Sequence, residues 1–212
     1  MSTTIFLHRF GATLNAHVHL HLCIRDGVVV QGRQGLVFRR AEVDEACVER
    51  VQAAVRQRVL GLFERRGLLS RETVGVMQAW GHRGGFSVHA GERVAAQDSA
   101  GRERLLRYCA RPMFAAERLV WAGEGVQVRY LLPWSALREH RVGQKRPIEL
   151  RLSASEFLDR VALLIPPPRK HRHHYFGVLA PNSPWRALVT ALESRARSPA
   201  ASCRAALKIW CC

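Results

Sequence analysis

His17-Val18-His19-Leu20-His21-Leu22-Cys23-Ile24 alternates without a break. Successive side chains on a strand point to opposite faces, so this stretch reads as a strand. Val18, Leu20, Leu22 and Ile24 fall on one face; His17, His19, His21 and Cys23 fall on the other. The apolar face is expected to pack on the core and hold the strand rigid. Residues two apart on one face stand roughly 6.6–6.8 Å apart along the strand. Two imidazoles at that spacing can converge on one ion when a third ligand comes from a neighbouring element. The competing reading is a solvated, histidine-rich edge strand.

The rest of the chain is read outward from there. Ile5 to Phe10 reads as a strand, and residues 11–15 as a turn. Asp26-Gly27 is a hairpin signal, with Val28-Val29-Val30 expected as the strand returning along 17–24. Val43, Cys47, Val51, Ala54, Val55, Val59, Leu62 and Phe63 recur at helical spacing, and Gly67 is a stop. A second short helix is expected over 71–80, a loop over 81–85 and a strand over 86–94. Asp98 or Ser99 caps a helix that Pro112 confines to about residue 110. Strands are expected at 119–121, 126–132 and 148–152, the first two around Gly123-Glu124-Gly125. Ser153-Ala154-Ser155-Glu156 is a capping box ahead of Phe157, Leu158, Val161, Leu164 and Ile165. Pro166-Pro167-Pro168 ends that helix; a strand over 173–179 and a helix over 185–195 follow. Strands with hairpin signals, interrupted by two long helices, predict an α+β fold on an antiparallel sheet.

Charge bounds the partner. The 212 residues carry 33 Lys+Arg against 17 Asp+Glu, a formal net charge of +16. All the basic residues but Lys145, Lys170 and Lys208 are arginines. A chain this basic suits a polyanion, because each phosphate contact releases condensed counterions; coding bias is the plain alternative. No run approaches the roughly 18 apolar residues that span a bilayer, so no membrane partner is expected. Met1 to Phe6 has no basic segment before a long apolar stretch, so no signal peptide is expected. The six cysteines form no CxxC pair and are expected as thiols in a reducing compartment.

Two further features could carry chemistry. Tyr108 sits in a helix amid Arg102, Arg104, Arg107 and Arg111. A phenol is a poor nucleophile at neutral pH, but cationic neighbours or a metal favour its phenolate. The plain alternative is a core tyrosine of an amphipathic helix. The stretch from Arg169-Lys170-His171-Arg172 to His173-His174-Tyr175-Phe176 offers cations and rings for phosphates and bases, or else a solvated loop. His171, His173 or His174 could complete the metal site, and spacing selects none of them.

Three segments together resemble the HUH-type rolling-circle transposases named after insertion sequence ninety-one, with their common-region relatives. They are Phe6-Leu7-His8-Arg9-Phe10-Gly11-Ala12-Thr13-Leu14-Asn15 running into His19-Leu20-His21; Leu106-Arg107-Tyr108-Cys109-Ala110-Arg111-Pro112; and Pro166 through Arg169 to His174-Tyr175-Phe176-Gly177-Val178-Leu179-Ala180-Pro181-Asn182. The resemblance covers roughly residues 5–190. It implies an HUH-endonuclease-like core, a central antiparallel sheet flanked by helices. His19 and His21 match the metal-binding motif and Tyr108 the catalytic tyrosine. The cofactor it implies is Mg²⁺ or Mn²⁺. Arg107, Arg111, Arg169, Lys170 and Arg172 are the expected DNA contacts. The implied reaction nicks and rejoins single-stranded DNA at element ends through a 5′-phosphotyrosine link, in a bacterial cytoplasm at the nucleoid.

The sequence departs from the family in three places. Two-tyrosine members carry another tyrosine one turn before the matched one, where this chain has Arg104; a single-tyrosine mechanism is then implied. The cysteine-rich zinc domain with which family members begin is not seen, and the tail from about Ser198 does not resemble them. The expectation is a catalytic domain over 1–195 and an unstructured or divergent tail over 196–212. A truncated, inactive DNA-binding remnant is the alternative function.

Overall fold

The computed structural model describes residues 2–95, 97–123, 127–132, 149–195 and 202–211. It is an α+β protein, as the alternation of periods predicts. The strands are β1 (Thr3–Phe10), β2 (Ala16–Ile24), β3 (Gly27–Gly32), β4 (Gly35–Arg40), β5 (Phe86–His89), β6 (Arg93–Ala95), β7 (Leu119–Ala122), β8 (Gln127–Leu131), β9 (Glu149–Ser153), β10 (His173–Phe176) and β11 (Ser202–Cys211). The helices are α1 (Glu45–Arg65), α2 (Arg71–Ala79), α3 (Ser99–Cys109), α4 (Ala154–Leu164) and α5 (Arg186–Arg195).

The largest sheet runs β10-β1-β2-β11-β5, with β6 also on β11. β10 lies antiparallel to β1, with Thr4 opposite Tyr175 and Phe6 opposite His173. β3 and β4 make a two-stranded sheet, and β7-β8-β9 a three-stranded one. No helix among the described residues is long and apolar enough to cross a membrane.

The chain divides into two compact units. The first comprises residues 1–7, 20–109 and 172–212. Its core is Leu60 of α1, Val74 of α2 and Phe86 of β5, with Val55, Val59, Leu69 and Met77 around them. Asp44 starts α1 by accepting from the Cys47 N–H, and Gly67 follows the helix at a φ of 68° that favours glycine. The end of α2 is held by Arg56, whose guanidinium donates to the Met77, Gln78 and Trp80 carbonyls. A helix end leaves such carbonyls without intrahelical partners, so a cation there is stabilising.

The second unit comprises residues 8–19 and 110–171. Phe10, Leu14, Tyr130, Leu132 and Leu164 are its buried centre, with Phe114, Leu150 and Phe157 packed against them. The capping box forms: the Ser153 hydroxyl accepts from the Glu156 N–H, and the Glu156 carboxylate accepts from the Ser153 N–H.

Four sequence expectations change. Val28-Val29-Val30 pairs with β4 through an Arg33–Gln34 turn, not back along β2, whose neighbours are β1 and β11. The 86–94 stretch is broken into β5 and β6 at Ala90-Gly91. β10 ends at Phe176, because Gly177 takes a φ of 77° and starts a short 3₁₀ turn. On β2 both faces are covered: His19 and His21 are 2% and 0% exposed, Leu22 of the apolar face is buried as expected, and Val18 near the strand's start is exposed. Residues 202–211 of the expected tail form β11; 196–201 and 212 lie outside the described residues, as do 124–126 and 148 of the expected turn and strands.

Candidate metal centre and tyrosine

On β1, Phe6, His8 and Phe10 alternate to one side, and all three are buried. The His8 ring stacks on Phe10 at a centroid distance of 4.8 Å and meets His19 of β2 edge-on at 5.0 Å. Each of His8, His19 and His21 offers one ring nitrogen, and these atoms all lie within 4.8 Å of one another. The three histidines form a cluster that can hold a metal ion.

The donor chemistry fits one. The His19 Nδ1 lies 3.3 Å from the His17 carbonyl oxygen, which can only accept. That bond puts the His19 proton on Nδ1 and leaves Nε2 with its lone pair for an ion. Burial pushes the His19 pKa down to about 4; the His17 carbonyl opposes this, and the nearby His8, His17 and Arg111 charges add to the lowering. Metal binding needs a deprotonated imidazole, so His19 is prepared as a ligand at neutral pH.

Tyr108 lies in the last turn of α3. The Asp98 Oδ1 accepts from the Gly101 N–H at 2.7 Å and so caps the helix at its other end. The Tyr108 ring meets the His21 ring edge-on, at a centroid distance of 5.1 Å and an angle of 80°. Its neighbour Cys109 is fully buried, with its sulfur 3.8 Å from that of Cys23 on β2. This contact fixes the end of α3 against the strand that carries His21.

The expected DNA contacts are placed differently from one another. Arg111 is half-buried, and its charge bears on His19. Arg107 is exposed and donates to Glu103 one turn earlier, at 2.7 Å. Arg169, Lys170 and Arg172 are exposed beyond the proline run, Arg169 at a φ of 62°. The Arg172 carbonyl accepts from the Leu7 N–H, which ties this segment to β1. His173 packs edge-on against Phe6 at 4.9 Å rather than joining the cluster. The third histidine is His8 of β1, to which the sequence reading assigns no role. Its signal was the Phe6-x-His8-x-Phe10 alternation, which places His8 on a buried aromatic face.

The fold and site define an α+β protein with a three-histidine cluster able to hold a metal ion, beside a tyrosine. A family model described as "Putative transposase" matches residues 3–186. The chain therefore belongs to that transposase family, a class of DNA-processing, DNA-binding proteins. No curated protein and no solved structure matches it.

Proposed function

We propose that this transposase is an HUH-type strand transferase of the kind named after insertion sequence ninety-one, acting on single-stranded DNA during rolling-circle transposition. The observation that carries the reading is the contact of Tyr108 with His21, itself a member of the histidine cluster. His8, His19 and His21 would hold Mg²⁺ or Mn²⁺, which when bound supplies positive charge to a scissile phosphate. Tyr108 is the nucleophile. Its oxygen, having given up its proton, forms a bond to phosphorus as the phosphorus–3′-oxygen bond breaks. The departing 3′-oxygen takes a proton, leaving a free 3′-hydroxyl and a 5′-phosphotyrosine. Attack by another 3′-hydroxyl reverses the step and rejoins the strand. Residues 1–195 carry this chemistry, Arg107, Arg111, Arg169, Lys170 and Arg172 bind the strand, and the nucleoid of a bacterial cytoplasm is where such DNA lies.

The test is a labelled single-stranded oligonucleotide pool incubated with the protein and Mn²⁺. The expected result is a covalent protein–DNA adduct that Tyr108→Phe abolishes and that chelation prevents. An adduct surviving Tyr108→Phe would overturn the assignment. DNA binding with no adduct under any substrate would leave a DNA-binding remnant instead.

A further inference from the structure

The β3–β4 hairpin has no role in the chemistry above. It is a two-stranded sheet of its own, with Gly32 opposite Gly35 across the Arg33–Gln34 turn. Gln31, Arg33 and Gln34 at its tip are exposed, as are Val37, Phe38, Arg39 and Arg40 along its second strand. Gly27 is buried at its base, where a Cβ would strike the Phe38 ring and the Arg39 carbonyl. Residues 25–40 hold the arginines 25, 33, 39 and 40 against one acid, Asp26, which pairs with Arg40 at 3.4 Å.

We infer that this ribbon enters the major groove of duplex DNA and reads base pairs with Gln31, Arg33 and Gln34. The groove is about 12 Å wide and admits a two-stranded ribbon. Six residues per strand at roughly 3.3 Å each give about 20 Å of reach. The tip carries the side chains suited to base edges: arginine forks onto the two acceptors of guanine, and glutamine onto the donor and acceptor of adenine. Gly32 and Gly35 flank these side chains without bulk of their own. Arg39, toward the open end, is placed for phosphates, which position a protein without reading sequence. Charge complementarity selects DNA over a second copy of the chain, since arginines along exposed strands discourage edge pairing. The inference rests on the protein's binding DNA and not on the Tyr108 chemistry.

The experiment uses the full chain and two probes: 30-bp duplexes with a randomised centre, and an unstructured oligothymidylate. Wild type should enrich a short duplex motif containing guanine or adenine. Arg33→Ala should relax one position of that motif by roughly fivefold or more, the worth of one bidentate base contact. Gln34→Ala should relax a neighbouring one, and Arg33→Lys should weaken guanine preference with the charge kept. Oligothymidylate affinity and thermal midpoint should stay at wild-type values for all three variants. No enrichment by wild type, unchanged motifs in the variants, or parallel loss on both probes would overturn the inference. Oligothymidylate binding with a Tyr108 adduct but no duplex motif would sink the ribbon's role alone. Failure to bind either probe would remove DNA binding itself.

Discussion

Three imidazoles in a buried cluster repel one another when protonated and attract a cation when neutral. Burial settles the choice at His19, whose pKa falls to about 4. Removing one donor should therefore weaken metal binding without removing the phenol. His8→Ala is expected to lower Mn²⁺ affinity by at least about tenfold, the range that even outer-shell ligand partners reach. Tyr108→Phe should bind Mn²⁺ as wild type does, so calorimetry on the two variants separates the ion's site from the attacking group. Equal affinity for His8→Ala and wild type would exclude His8 as a ligand. His19 and His21 were legible because two-residue spacing within one strand puts both on one face. His8 was not, because its partners lie on another strand, and a period within one segment carries no information about the neighbouring one.

The elements most legible in the chain are those with their own start and stop signals. Asp44, Ser70 and Ser153 each accept from a backbone N–H three residues on. The helices after Ser70 and Ser153 open at the expected place, whereas α1 opens at Glu45 and leaves Val43, which the helical spacing included, ahead of its cap. Ser153→Ala should cost about 1 kcal/mol of stability, the usual value of an N-cap, read as a shift in urea midpoint. Next to it, Glu149 of β9 accepts from Arg129 at 2.6 Å and from Arg151 at 2.7 Å. The Arg129 hydrogen bonds first, then those of Arg151, hold its carboxyl below the ordinary 4.5. A lowered carboxylate contributes stability above its unfolded pKa and loses it as pH falls through the folded value. Glu149→Gln should thus destabilise at pH 7, with the difference from wild type shrinking below about pH 4; a deficit of equal size at both pH values would contradict the pairing. Pairing partners were less legible. Asp26-Gly27 promised a return along β2, yet Arg33–Gln34 makes the turn, because Leu36-Val37-Phe38 supplies a second apolar run for β3 to pair with.

At the scale of the whole molecule, charge is the property the sequence states outright, and strand order is the one it hides. β11 joins β2 and β5, which stand far earlier in the chain, and no local pattern in 202–211 names either neighbour. The charge, by contrast, can be converted into a measurement. From Val161 to Leu192 there is no acidic residue, and Arg169, Lys170 and Arg172 stand exposed just before the half-exposed rings of Tyr175 and Phe176. Each phosphate neutralised on a single strand adds roughly −0.7 to the slope of log affinity against log salt. If all three cations sit on phosphates, replacing them together by alanine should make the oligothymidylate slope shallower by about 2. Tyr175→Ala should instead lower affinity by roughly five- to 150-fold, the worth of one stacked base, with the slope unchanged. A triple variant that keeps the wild-type slope would show that the strand is held elsewhere, and the basic, aromatic segment would then be a solvated loop and strand edge with no part in binding.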